Sequence, residues 1–146
     1  MHHLAQLNVA KMKFPYEDPR FSDFVNALDS VNATAAASPG FVWRLPEEDD
    51  AMATQVFGDD LLLINMSVWE SIDQLKSFVS SQAHLEIMRR RSEWFHSQNA
   101  AYLVLWWIAP DHTPTIEEAQ AKLDYLREHG PSERAFNFSA SYPPPI

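Results

Sequence analysis

Two histidines, His84 and His3, are the candidates for acid–base chemistry in this sequence. An unperturbed imidazole has a pKa of about 6.5, so it can accept or donate a proton at neutral pH. His84 follows a predicted break between two helices, a place where a side chain can face the mouth of a pocket. His3 belongs to the first predicted strand. The alternatives are a helix-capping or surface role for His84 and simple exposure for His3.

Polar side chains on an otherwise apolar strand form a second group of candidates. Asn65 and Ser67 share a predicted strand face with Leu63 and Trp69. An unpaired buried amide costs on the order of 1–3 kcal/mol, so these groups need hydrogen-bond partners. A bound ligand is one candidate partner, and a second copy of the chain or a helix end is the other.

Two arginines are candidates for binding a substrate. Arg44 alternates with Trp43 on a predicted strand, and a buried guanidinium either pairs with an acid or binds an anionic substrate. Arg91 ends the basic run at residues 89–91. Helical geometry spreads three consecutive residues through about 200° of the helix surface, so the run forms no single patch. We expect one of the three arginines to point inward with Trp94, and Arg91 is the candidate for binding a substrate.

Aromatic residues are frequent, at 12% of the chain with five tryptophans. Indole and phenyl rings form flat apolar walls that suit an aromatic ligand, which makes Trp69, Phe78 and Trp94 candidate binding residues. The alternative is that these rings belong to the hydrophobic core or to a dimer interface.

Composition argues against several classes of function. Eleven Lys and Arg against twenty Asp and Glu give a net charge of -9, which disfavours nucleic acid as a partner. The absence of Cys excludes disulfides and thiol chemistry. Only three glycines and no phosphate-binding loop argue against a nucleotide cofactor, and we expect no metal. No apolar run approaches the roughly 20 residues of a membrane span, so we expect a cytoplasmic protein.

Hydrophobic periodicity predicts the order β-α-β-β-α-β, followed by one more helix and a short strand. Capping signals begin the helices at Asp18-Pro19, Ser71 and Thr115. An acidic loop is expected at residues 46–60. This order predicts a ferredoxin-like α+β fold with an antiparallel sheet and helices on one face. We expect one domain at residues 1–140 and a Pro-rich tail at residues 141–146. The predicted strands cover residues 3–12, 41–45, 61–69, 102–109 and 135–139, and the helices residues 18–38, 72–79, 84–96 and 115–130.

Three of the predicted strands carry apolar side chains on both faces. One layer of helices covers only one face of a sheet, so the other is expected to be exposed and to pack on a second sheet. A homodimer provides that partner with a single chain.

Residues 68–71, followed by Leu75, Phe78, Ser81 and residues 83–84, resemble the dimeric α+β barrel superfamily. Through segments 41–45, 65–71, 88–95 and 103–107 the whole chain is most similar to its family "domain of unknown function 3291". The superfamily includes cofactor-free monooxygenases, heme-degrading enzymes and polyketide cyclases. Resemblance to the cyclases implies roles for His3 and His84, although their tyrosine falls on Phe78. Of the heme-degrading residues only the strand Asn has a counterpart, Asn8.

The sequence and the resemblance together predict a homodimer that binds a small apolar or aromatic molecule. We expect a cofactor-independent enzyme, similar to a monooxygenase, cyclase or isomerase, that uses His84 as acid or base. Two alternatives stay open: a non-catalytic ligand-binding or stress-response dimer, and a heme-binding protein with His84 as axial ligand.

Overall fold

The structure is a computed structural model that describes residues 1–46, 56–59, 61–98 and 100–145. Most of the predicted acidic loop, residues 47–55 and 60, lies outside the described residues. None of the helices within the described ranges is long and apolar enough to cross a membrane.

Four antiparallel strands form the sheet, in the order β2-β3-β1-β4. This is the strand order of a ferredoxin-like fold, so the predicted fold class is confirmed. Strand β1 lies at the centre of the register, where Gln6 is opposite Ser67 on one side and Leu105 on the other. The strands are β1 (His3–Lys11), β2 (Phe41–Arg44), β3 (Leu62–Trp69) and β4 (Leu103–Ile108).

The helices begin where the capping signals predicted. The side chains of Ser71 and Thr115 accept hydrogen bonds from the third residue that follows each of them, at 3.2 and 3.1 Å. Asp18 caps a 3-10 turn that leads into the first helix. The predicted break occurs at residues 80–81, but the stretch predicted as one helix at 84–96 is two short helices. The helices are α1 (Ser22–Ala37), α2 (Ile72–Val79), α3 (Gln82–Arg89), α4 (Arg91–Trp94) and α5 (Ile116–His129).

Helices α1 to α4 pack on one face of the sheet. Leu75 of α2 and Ala35 of α1 share a buried cluster with Leu4 and Trp69 of the sheet. At the far end of this layer Trp94 is 2% exposed and packs on Phe24, with their ring centroids 5.2 Å apart. The helical layer therefore contains two apolar cores separated along the sheet.

Helix α5 covers the opposite face of the sheet, so the expectation that this face is exposed was wrong. Leu123 of α5 is buried in one cluster with sheet residues such as Leu7 and Val104. The indole of Trp106 donates a hydrogen bond of 2.8 Å to the carboxylate of Glu118 on the same helix. The added C-terminal helix thus fills the place that a second sheet was predicted to take. The homodimer stays a prediction, without this support.

The predicted fifth strand is reduced to a single antiparallel bridge. Phe136 and Leu105 exchange two backbone hydrogen bonds, of 2.8 and 2.9 Å, at the free edge of β4. Beyond the bridge, the carbonyl of Tyr142 accepts a hydrogen bond of 2.9 Å from the indole of Trp107. The beginning of the Pro-rich tail therefore contacts the same strand.

Replacing Leu123 by alanine tests the packing of α5 on the sheet. This side chain is 1% exposed, so we expect Leu123→Ala to lower the free energy of unfolding by about 2–5 kcal/mol. The control is Leu85→Ala, the same change at a side chain that is 52% exposed, with an expected effect of about 0.5 kcal/mol or less. Urea unfolding measures both variants, and equal effects would contradict the packing of α5.

Candidate functional site

A cavity of about 500 Å³ lies between the sheet and helices α1 to α3. Its walls are mostly apolar, and a few polar groups converge on it from the strands and from α3. A pocket of this kind, apolar with a small number of placed polar groups, is typical of a small-molecule site. A second, more open depression of about 550 Å³ lies beside the tail and contains none of the predicted site residues.

The floor of the cavity is a hydrogen-bonded row of amides and a hydroxyl on two neighbouring strands. The Gln6 amide donates to Asn65 Oδ1 at 2.7 Å and to Ser67 Oγ at 2.8 Å. The Asn8 amide donates to Gln6 Oε1 at 3.2 Å. Gln6 is 4% exposed and Ser67 7%, so these bonds satisfy groups that water hardly reaches.

The row leaves hydrogen-bond donors for a ligand. Ser67 Oγ accepts from Gln6 and also from the indole of Trp69 at 2.9 Å, so its own proton is not needed for either bond. Asn65 Oδ1 accepts from Gln6, and within the described part of the chain Asn65 Nδ2 has no partner. An O–H and an N–H₂ group beside the cavity can therefore donate to a bound oxygen atom.

Aromatic rings connect this row with the histidine. Trp69 stacks on Phe78 with ring centroids 5.3 Å apart and an interplanar angle of 22°. Phe78 meets the His84 ring edge to face at 5.4 Å. The rings form a continuous wall from the sheet to the beginning of α3, which positions the imidazole across the cavity from the floor.

The helix break determines the position of His84. Ser81 ends the link between α2 and α3, and its side chain accepts a hydrogen bond of 3.5 Å from the His84 backbone N–H. Burial lowers the pKa of His84 below its usual value, and the backbone of Val79 opposes this only in part. Nδ1 of His84 is buried, and within the described residues it has no partner at good hydrogen-bond geometry, although the ring lies near the Val79 backbone. The ring is therefore largely neutral at pH 7.

The cavity brings most of the predicted site residues together. His84, Trp69 and Phe78 lie on its wall, while Asn65 and Ser67 form part of its floor.

Both predicted arginines also line the cavity. An acid or an anionic substrate was the predicted partner of Arg44. Among the described residues no acid forms a salt bridge with it, so that alternative is wrong there. The Arg44 guanidinium instead donates to the backbone carbonyl of Leu45 at 3.1 Å. Arg91 lies at the rim, with Nη1 3.4 Å from the hydroxyl of Tyr102.

Two of the predicted residues lie elsewhere. His3 alternates with Leu4 along β1 and shares the face of Ala5, which packs against α5 on the other side of the sheet. His3 and His84 are therefore not brought together. Trp94 is a core residue that packs on the lining residue Phe24 and does not itself line the cavity.

Gln6, Asn8 and Tyr102 are among the lining residues that were not predicted as site residues. The signal for Gln6 and Asn8 was present, since both are polar residues on the same face of an apolar strand. Asn8 was named only because of the resemblance to heme-degrading enzymes. Tyr102 was assigned to a strand, but it precedes β4 and contacts Arg91 at the rim. The cross-strand register pairs Gln6 with Ser67 and Asn8 with Asn65, and a single sequence does not provide that register.

Several solved structures are similar to this chain. One is a "Putative antibiotic biosynthesis monooxygenase from Nitrosomonas europaea", 11% identical, covering 76% of this chain and 92% of that one, with a TM-score of 0.52. Another is Rv0793 from Mycobacterium tuberculosis, 17% identical, with 77% and 99% coverage and a TM-score of 0.51. SnoaB from Streptomyces nogalater, a cofactor-independent oxygenase, is 16% identical, with 77% and 97% coverage and a TM-score of 0.47.

The sequence itself identifies the family. Residues 3–146 match the family described as "Domain of unknown function (DUF3291)", and the chain belongs to it. No curated protein matches the chain. At these low identities the likeness to the solved structures concerns the fold alone.

An NMR titration of the histidines tests the environment of His84. We expect its pKa to lie below about 6.5, because burial penalises the charged ring. Below this pH the unfolded chain binds more protons at His84 than the folded chain. Stability contributed by the neutral ring is therefore present above about pH 6.5 and is lost as the pH falls through the lowered pKa.

The variant His84→Gln assigns the resonance and provides the matched control. We expect the wild-type chain to lose stability relative to this variant as the pH falls below about 6.5. A His84 pKa at or above the usual value, with parallel stability curves for the two proteins, would contradict the described burial.

Proposed function

We propose that this protein binds a largely apolar, aromatic metabolite in the cavity and removes a proton from it without a metal or nucleotide cofactor. The observation that carries the proposal is the placement of a largely neutral histidine on the same cavity as unused hydrogen-bond donors. His84 supplies the base, and Asn65 and Ser67 supply the donors. Nδ1 of His84 lacks a well-placed partner, and a buried polar group in this position is stabilised by a ligand that completes its hydrogen bonding.

The chemistry that fits these groups is enolisation of a ketone. A ring nitrogen of His84 accepts the proton from a carbon next to the carbonyl. The C–H electron pair forms a C=C bond to the carbonyl carbon, and the C=O π pair moves to the oxygen, which gives an enolate. The negative charge develops on the carbonyl oxygen. Donors from Asn65 and Ser67 that are held in place before the reaction stabilise this charge more than they stabilise the neutral ketone.

The aromatic wall gives the substrate its orientation. A fused aromatic ring can stack beside Trp69 and Phe78, whose rings are already parallel to within 22°. This places the flat face of the substrate along the wall and its edge toward the floor of the cavity. Oxygenation, cyclisation and isomerisation can all follow from the same enolate, so the proposal concerns the proton transfer that they share.

Deuterium exchange into 2-tetralone, an aromatic ketone with acidic C–H groups, tests the proposal. We expect the protein to accelerate exchange from D₂O, followed by NMR, and His84→Gln to lose about a hundredfold or more of this acceleration. His96→Gln, a change at an exposed histidine outside the cavity, is the matched control and should exchange like the wild type.

Two results would contradict proton transfer by His84. One is exchange no faster than in buffer, and the other is exchange by His84→Gln at the wild-type rate. A Soret band after addition of heme, lost in His84→Gln, would instead favour heme binding with His84 as axial ligand.

We also propose that the chain forms a homodimer, on the basis of its resemblance to a dimeric superfamily. Because α5 occupies the second face of the sheet, we place the contact between copies outside that face. Sedimentation at micromolar concentration is expected to give twice the mass of 16.7 kDa, and a monomer would contradict the proposal.

A further inference from the structure

The charge around the cavity differs from the charge of the chain as a whole. The protein carries a net charge of -9, yet the described residues that line the cavity include two arginines and no Asp, Glu or Lys. Positive charge in a partly closed apolar site acts at lower dielectric than on the surface, so it selects strongly for a ligand of opposite sign.

Arg44 is the cation closest to the donor row in the register of the sheet. It lies opposite Ser67 on the neighbouring strand, so the order across the sheet is Arg44, Ser67, Gln6. The guanidinium is half-buried and makes one hydrogen bond, from Nη1 to the Leu45 carbonyl. The rest of its donors have no protein acceptor within the described residues.

Other arginines of the chain show what Arg44 lacks. Arg20 is paired with Asp18 at 2.8 Å, and Arg90 is paired with Glu93 at 2.8 Å and with Asp23 at 3.0 Å. These pairs are on the surface, where water would also solvate the charge. The half-buried Arg44, for which a counter-ion would matter most, has no carboxylate partner in the described part of the chain.

Arg91 adds positive charge at the rim. Its guanidinium carbon lies 5.1 Å from the centroid of the Tyr102 ring, and no acid pairs with it within the described residues. Because Tyr102 precedes β4 while Arg44 belongs to β2, the two arginines approach the cavity from opposite edges of the sheet. Positive charge is thus present on both sides of the cavity.

We infer that the ligand of this cavity is an aromatic carboxylate whose carboxylate group binds Arg44. A guanidinium presents parallel N–H groups that match the two oxygens of a carboxylate, which a point charge does not do. The aromatic body then lies along Trp69 and Phe78, and the donors of Asn65 and Ser67 are left for a second oxygen of the ligand. This inference rests on the proposed function for the location of the site and names the substrate class.

Two naphthalene compounds of nearly equal shape, 2-naphthoate and 2-naphthamide, test the inference by calorimetric titration of the full chain. We expect wild-type protein to bind the carboxylate at least about tenfold more tightly than the neutral amide. Arg44→Met should abolish this preference while its affinity for 2-naphthamide is retained, which shows that the cavity is intact. Arg89→Met, at an exposed arginine outside the lining, is the matched control and should keep the preference.

Several results would overturn the inference. Equal binding of the two compounds by the wild type rules out an anionic ligand, and an unchanged preference in Arg44→Met rules out Arg44. If only Arg91→Met loses the preference, the carboxylate binds Arg91 and not Arg44. Tighter binding of 2-naphthyl phosphate than of 2-naphthoate would indicate that the ligand is an aromatic phosphate and not a carboxylate.

The failure of this inference is distinguishable from failure of the proposed function. The protein could prefer the carboxylate in a way that depends on Arg44 and yet exchange no deuterium into 2-tetralone. In that case the cavity is an anion-binding site and the proposed proton transfer is wrong. If exchange depends on His84 but the protein shows no preference for a carboxylate, proton transfer by His84 stands and the anionic substrate class is wrong.

Discussion

The buried amide of Gln6 in the central strand is the constraint on which the site depends. A side-chain amide that is 4% exposed needs partners within the protein, and Asn65 and Ser67 on β3 provide them at 2.7 and 2.8 Å. A shift of one residue between β1 and β3 would place these groups on opposite faces of the sheet and leave them unpaired. The polar row therefore favours one register, and that register also places Trp69 beside the cavity.

The helix break is the second determinant, because it positions His84 on the wall of the cavity. Ser81 begins α3 at an angle that a continuous helix from residue 72 could not give, and the His84 ring then reaches Phe78 at the end of the aromatic wall. The same burial that apolar packing requires lowers the pKa of His84. Core packing and the lowered pKa of His84 thus come from one arrangement of rings, while Arg44 and Arg91 supply positive charge to a cavity whose described lining contains no Asp, Glu or Lys.

Local signals in the sequence predicted most of the fold. Side chains such as Ser71 and Thr115 cap helices through contacts within three residues, so they can be identified without tertiary information. The side of the sheet on which α5 packs depends on long-range contacts, and hydrophobic periodicity predicts an apolar helix face without naming its partner. The candidate site was predicted only in part, because some of its features also depend on long-range contacts. His84 and Asn65 have suggestive types and positions, whereas the inclusion of Gln6 and the missing counter-ion of Arg44 depend on the register and on tertiary pairing.

The central claim is that the cavity between the sheet and the helical layer is the ligand site. A crystal structure of the chain with bound 2-naphthoate tests it most directly. The account predicts electron density for the naphthalene ring beside Trp69 and Phe78, with the carboxylate within hydrogen-bond distance of Arg44. A ligand bound elsewhere at full occupancy, with the cavity filled by the chain's own side chains, would contradict it.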